Sequence, residues 1–281
     1  MLAPGLLPLA ANVRETVTIQ DHRPLAALPR EAKLAWLKQR DFDWVWNTEG
    51  EESSWHSVLA HSGNPNWFTT PTQKRWLGRH VLRVRFRQLR VRFPELRGYP
   101  EPALTLTPFQ EGVCRSFRSA FPPGQTLVAI QPGAGAPERV WPPEKFRDLI
   151  SALVADSQVT VLLFLSDAES EFATPGYLPA RDALRFVSKP LEHSLPELAA
   201  CDLFIGNDSG FYHLAFALGL KVVGIYRSFG AAHTWAYRSP RSRAVFVYLP
   251  GSLRRHWKRW LSVRRVLRAA AALVPGLRSR L

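Results

Sequence analysis

The residues of this 281-residue chain whose types and spacing suit chemistry fall in three short stretches of its second half. Leu203-Phe204-Ile205 runs into Gly206-Asn207-Asp208-Ser209-Gly210, and apolar residues then recur at helical spacing, with His213 one turn in, until Gly219. That pattern predicts a strand, a tight turn and a helix. The turn sets Asp208, the Ser209 hydroxyl and the N–H of Gly210 at a helix N-terminus, where a phosphate or sugar hydroxyls can be held. Gly133-Ala134-Gly135 with Arg139 is the second stretch. Small residues let backbone N–H groups approach a phosphate, and a guanidinium pairs with it. The third is Ser166-Asp167-Ala168-Glu169, which places an acid past a strand end, in reach of ribose hydroxyls. Each has a plainer use: a glycine turn with a surface Arg, a Ser-x-x-Glu capping box, an Asp N-cap, a satisfied half-buried His.

These stretches need strands to position them. Apolar runs at Leu127–Ile130, Val159–Leu165, Leu184–Val187, Leu203–Ile205 and Val222–Tyr226 alternate with helical patterns at Pro143–Ala155, Leu195–Ala200 and Phe211–Leu218. Such alternation predicts a parallel sheet with right-handed crossovers, and the three loops then meet at one sheet edge. Before it, strands are expected at Val13–Ile19 and Phe42–Thr48 and helices at Pro29–Arg40 and Glu111–Phe121. A long loop with a short helix is expected over 51–72, and Lys74–Arg92 is compatible with helix or strand. Pro122-Pro123-Gly124 reads as a linker, so two α/β domains are expected, 1–121 and 125–281.

The net charge is +14, unevenly spread. No acid occurs from Ser53 to Pro94 or from Ser209 to the last residue. Such a surface suits an anionic partner: nucleic acid, anionic lipid or a phosphorylated glycan. Leu253–Val274 reads as one basic amphipathic helix with Trp257, Trp260, Leu261, Leu267 and Val274 on its apolar face. It would either lie on a membrane surface or pack across the protein. Two separated cysteines, Cys114 and Cys201, form no metal motif and fit reduced thiols. No apolar run reaches the ~20 residues of a membrane span, and Met1–Leu9 lacks a basic start. A cytoplasmic protein is expected.

The order Pro-Gly-Ala, Arg139-x-Trp141-Pro142, strand-Ser-x-x-Glu, then Gly-Asn-Asp-Ser-Gly-x-x-His-Leu-Ala resembles glycosyltransferase family nine, the bacterial ADP-heptose:lipopolysaccharide heptosyltransferases. The likeness is specific from Leu127 to Tyr226, and Phe42–Trp46 resembles an earlier strand of the family. It implies an α/β GT-B fold of two Rossmann-like domains and metal-independent inversion without a cofactor. It further implies a nucleotide-diphospho-sugar donor, ADP-heptose, an anionic lipopolysaccharide acceptor, peripheral contact with the inner membrane and no nucleic-acid partner. By position, Gly133, Ala134, Gly135 and Arg139 would meet the diphosphate and Glu169 the ribose. His193 would lie near the adenosine, and Asp208, Ser209, Gly210 and His213 at the phosphates and sugar. The chain departs from the family in two places. Tyr226-Arg227-Ser228-Phe229 stands where Phe-Gly-Pro-Thr is usual, and no residue matches the family's first Gly-Asp loop, which carries the proposed base. An incomplete N-terminal domain and an unassigned catalytic residue are therefore expected, and two functions stay open: sugar transfer, or binding of nucleotide or glycan by a truncated GT-B protein without turnover. Glu49, Glu51 and Glu52 are the only acids near a strand end there.

Overall fold

The computed structural model describes residues 29–39, 45–47, 54–63, 65–69, 80–97, 101–179 and 182–280. The segments Val13–Ile19 and Glu49–Glu52 lie outside them. Two compact units are present, one within residues 15–100 and one holding the chain from Glu101 onward. Pro122-Pro123-Gly124 is a turn inside the second unit, between α4 (Pro108–Ser119) and β3 (Thr126–Gln131).

The first unit contains α1 (Arg30–Lys38), β1 (Val45–Asn47), α2 (Ser54–Ala60), β2 (Trp67–Thr69) and α3 (Val81–Arg92). β1 and β2 pair in parallel, Val45 opposite Trp67. Leu37, Val58 and Leu59 form its buried core, with Leu34, Val45 and Trp67 packed against them. β2 lies in the stretch expected to be loop and helix; three residues are too few to show alternation. α3 makes residues 81–92 of the ambiguous basic segment helix, and residues 74–79 lie outside the described residues. Leu82 to Arg87 alternate apolar and basic residues, a strand-like pattern, but Arg and Leu are good helix formers. His80 caps α3 by accepting from the Leu82 N–H at 3.3 Å.

The second unit is built on six parallel strands in the order β5-β4-β3-β6-β7-β8. These are β3, β4 (Val159–Phe164), β5 (Leu184–Val187), β6 (Leu203–Asn207), β7 (Lys221–Ile225) and β8 (Ser242–Val245). Both faces are covered, so the strands are nearly continuous apolar runs. Val128, Ile130, Val161, Leu163 and Ile205 point to one face, under α5 (Pro143–Val154) and α10 (Val263–Leu273). Leu127, Ala129, Leu162, Phe164 and Phe204 point to the other, under α6 (Leu195–Ala199) and α7 (Gly210–Ala217). The split follows from the two-residue side-chain period of a strand. After β5 the chain returns to the other side of β3, so the strand order reverses between β3 and β6. Ligands of open α/β sheets bind beyond the strand ends at such a reversal.

β8 and α8 (Phe229–Trp235) were not foreseen. The C-terminal segment also differs from the single helix expected. It forms a 3-10 turn at Gly251–His256, α9 (Trp257–Trp260), a break at Leu261-Ser262, and α10. Trp257, Leu261, Val266, Leu267 and Ala270 are buried, whereas Trp260 is 61% exposed and leaves the apolar face assigned to it. The break is held by tertiary bonds. The Lys145 ammonium donates to the carbonyls of Lys258, Arg259 and Leu261 at 2.6, 2.9 and 2.7 Å, and the Trp141 indole donates to Leu261 at 3.2 Å. A cation at a helix C-terminus satisfies its orphan carbonyls and its dipole. Lys145→Met keeps the stem and removes the cap. It should destabilise the protein by about 1.5–3 kcal/mol, the range for hydrogen bonds to a charged group, read as a lower denaturation midpoint.

Candidate functional site

The site forms at the strand-order reversal, from the loops after β3, β4 and β6. Asn207, fully buried at the end of β6, holds the first loop. Its amide donates to the carbonyl of Pro132 and, at 3.4 Å, to that of Gly133, and its oxygen accepts from the Trp141 N–H at 3.0 Å. With its amide turned so that the nitrogen faces the Gly133 carbonyl, Gln131 donates to that carbonyl and accepts from the Gly133 N–H, each at 3.0 Å. The Lys258 ammonium reaches Pro137 O at 2.9 Å, so α9 braces the far end of the loop.

Glu169 lies directly over Gly133: a Cβ there would collide with its carboxylate and with Gln131. The capping box is also real, with Glu169 accepting from the Ser166 N–H at 2.8 Å and from its hydroxyl. One oxygen of the Glu169 carboxylate, Oε2, is on the cap and the other, Oε1, lies over the loop. Arg139 ends a 3-10 turn at Pro137–Arg139, with its guanidinium 4.0 Å from Asp208 and near Gly135. Ala134 between them is half-buried.

Asp208 is not the N-cap of α7. Ser209 holds that position, and its side chain makes no capping hydrogen bond. The Ser209 hydroxyl sits instead 3.4 Å from the Gln131 amide, and Gly210 opens the helix, exposed. The positive end of α7 is therefore without a side-chain cap and beside Arg139. Asp208 is buried, and that burial raises its carboxyl pKa above the usual 3.8, while Arg139 and Arg227 act to lower it. Arg227 follows β7, whose Ile225 carbonyl accepts from the Asp208 N–H at 3.1 Å.

A cleft of about 400 Å³ adjoins these loops beyond β3, β4 and β5. Phe164, Val187, Leu191 and Phe211 give it apolar walls; Gln131, Ser166 and Lys189 give it polar ones. Lys189 is ion-paired with the buried Glu197. Two expected residues stand apart. His193 is exposed on the Leu191–His193 turn and does not line the cleft, although its neighbours Leu191 and Ser194 do. His213 is half-buried, and its Nδ1 meets the Tyr237 hydroxyl at 2.8 Å. Asn207 and Gln131 were absent from the expected set. Their signal was present: each is a polar residue closing an otherwise apolar strand. Glu49, Glu51 and Glu52 lie outside the described residues. Among the described residues, no group of three or more His, Cys, Asp or Glu is placed to hold a metal ion.

A parallel sheet reversing between β3 and β6, with a helix N-terminus and a glycine loop at the reversal, defines an open, doubly wound α/β domain, whose ligands bind beyond the strand ends at such a reversal. The family model of glycosyltransferase family 9 (heptosyltransferase) matches residues 74–246, more than half of the chain, and the protein belongs to that family. Its fold is α/β of the GT-B type. Among solved structures, ADP-heptose LPS heptosyltransferase II of E. coli is 19% identical with a TM-score of 0.66, over 88% of this chain and 81% of that one. The family 9 glycosyl transferase of Veillonella parvula is 16% identical with a TM-score of 0.68, over 88% and 80%. E. coli heptosyltransferase WaaC, solved with ADP, is 14% identical with a TM-score of 0.53, over 85% and 75%. Comparison with curated proteins gives no match.

The raised pKa of Asp208 fixes the sign of a pH effect. A carboxyl with a raised folded-state pKa contributes stability below its unfolded value, and this is lost as pH rises through the folded value. Ionising the buried Asp208 therefore costs stability as pH rises. Asp208→Asn should melt at or above the wild-type temperature at pH 7, and the difference should shrink toward pH 4. A large fall in melting temperature at pH 7 would show that Asp208 is structural.

Proposed function

We propose that this protein transfers a heptose-type sugar from a nucleotide-diphosphate donor, ADP-heptose, to a lipopolysaccharide core acceptor. The observation that carries this reading is the meeting of an uncapped helix N-terminus, Arg139 and a part-apolar cleft at one sheet edge. In glycosyl transfer the acceptor hydroxyl oxygen bonds to the anomeric carbon as the bond from that carbon to the diphosphate breaks; the hydroxyl proton is released to water and negative charge grows on the leaving diphosphate. In this reading Arg139 and the N–H groups opening α7 stabilise that charge. The cleft takes the flat base between Phe164, Leu191 and Phe211, and Glu169 accepts from the ribose hydroxyls. Asp208, beside Arg139, accepts from a hydroxyl of the donor sugar. Two similar structures support the donor: E. coli heptosyltransferase WaaC was solved with ADP and with ADP-2-deoxy-2-fluoro heptose.

Calorimetry with ADP and with adenosine tests the donor half. Arg139→Ala should weaken ADP about 10- to 150-fold, the loss of a charge-assisted contact of about 1.5–3 kcal/mol, and leave adenosine unchanged. Equal losses for both ligands would refute the diphosphate role. Mass spectrometry tests the acceptor half. Incubation with ADP-heptose should add one heptose to a heptose-deficient core; ADP release with an unmodified core would refute it.

Peripheral membrane contact belongs to the same reading. No described helix is long and apolar enough to cross a membrane. Arg254, Arg255 and Arg259 are exposed around Leu253 and Trp260, which are 46% and 61% exposed. Lys258 is engaged at Pro137 and is not part of this surface. Basic groups near an anionic leaflet contribute about 1 kcal/mol each, screened by salt. The protein should co-sediment with phosphatidylglycerol vesicles at low salt and leave them as salt rises. Replacing Arg254, Arg255 and Arg259 with Glu should abolish this with folding intact; retained binding would place the contact elsewhere.

A further inference from the structure

Beyond the ends of β7 and β8 lies a group of aromatic rings that the donor site does not use. Phe229 opens α8, and Phe246 and Tyr248 follow β8. The Phe229 ring is stacked with Tyr248 at 5.4 Å and 29°, and lies 5.7 Å from Phe246. Phe246 and Tyr248 meet edge-on at 5.1 Å. Phe246 is half-buried against the core, whereas Phe229 is 47% and Tyr248 68% exposed. A part-buried ring thus supports two exposed ones, and packing of the core does not require the outer pair.

The surroundings say what this surface fits. His233 stands edge-on to Phe229 at 5.5 Å, and Arg238 reaches the His233 ring at 2.9 Å. Arg254 is tied to the Leu249 carbonyl at 3.3 Å, and Arg227 is exposed just before α8. No acid follows Asp208 in the sequence. β7 and β8 are the first and second neighbours of β6, so their ends lie about 5 and 10 Å from the Asp208 turn. A sugar ring has an apolar C–H face and a polar rim. Flat aromatic faces take the first, and a phenol hydroxyl with flanking guanidinium groups takes the second when the sugar carries phosphate or carboxylate.

We propose that Phe229, Phe246 and Tyr248 form a stacking platform for a sugar ring of an anionic oligosaccharide, next to the donor site. The proposal rests on the glycosyl-transfer reading, and its test separates the two. The intact chain is titrated with deacylated lipopolysaccharide inner-core oligosaccharide and, separately, with ADP. Joint Phe229→Ala and Tyr248→Ala should weaken the oligosaccharide about tenfold or more, because two aromatic contacts are lost. ADP affinity should stay within about twofold of wild type, since the donor-loop residues are untouched. Joint Phe229→Tyr and Tyr248→Phe keeps both rings and should keep most of the binding. Three results would overturn the platform: no oligosaccharide binding by wild type, unchanged binding after the alanine pair, or an equal fall in ADP affinity. Tighter, ring-dependent binding of an oligothymidylate would overturn it in favour of single-stranded nucleic acid. Failure of wild type to bind ADP strikes the donor reading, and ring-dependent binding of the oligosaccharide would still stand.

Discussion

The buried amide of Asn207 bonds to three backbone groups of a loop more than sixty residues away in sequence: the carbonyls of Pro132 and Gly133 and the N–H of Trp141. A buried side-chain amide left unpaired costs about 1–3 kcal/mol per orphaned group, so this bonding pattern admits few alternatives. It sets the path of the loop after β3. That path puts Gly133 under Glu169 and turns the chain so that Arg139 comes back toward Asp208. The neighbouring residue of Asn207 thus meets a cation that Asn207 itself has helped to position. Structural and functional chemistry alternate along Gly206-Asn207-Asp208-Ser209, one residue serving the scaffold and the next facing the site.

Electrostatics at the site is a balance between burial and charge. Burial disfavours the ionised form of Asp208, and Arg139 and Arg227 oppose it without reversing the net shift. A buried carboxylate meets less competition from water than an exposed one, so its hydrogen bonds and ion pairs are stronger. The uncapped α7 works the same way. A Ser209 side chain turned to cap the helix would satisfy a first-turn N–H group that an anion can otherwise use.

The parallel sheet and its loops were legible in the sequence because they are encoded locally. Leu127–Ile130 and Val159–Phe164 are unbroken apolar runs, and Gly206–Gly210 has the composition of a turn before a helix. What was not legible is encoded at a distance. The break at Leu261-Ser262 depends on Lys145 and Trp141, more than 110 residues earlier, and no pattern within Leu253–Val274 announces it. β8, Ser242-Arg243-Ala244-Val245, is an edge strand with two exposed residues and lacks the apolar density of its neighbours. His213 took its partner from Tyr237, outside its own helix. Asn207 stood in full view within the motif, but as a turn former; its role appears only when the Trp141 N–H is beside it.

The loop after β3 also has a place in time. Its anchors come from residues made after it: 66 residues separate Trp141 from Asn207, and 120 separate it from Leu261. At about 5–20 residues per second of synthesis, Leu261 follows Trp141 by roughly 6 to 24 seconds. For the first part of that interval the strand and glycines of the loop exist without Asn207. A nascent chain ending anywhere between Gly210 and Trp257 carries Gly133, Arg139, Glu169, Asn207 and Asp208, yet the Lys258 brace on the loop is missing. Completion of the loop after β3 is therefore a late event on the ribosome, waiting on α9 and the break that follows it.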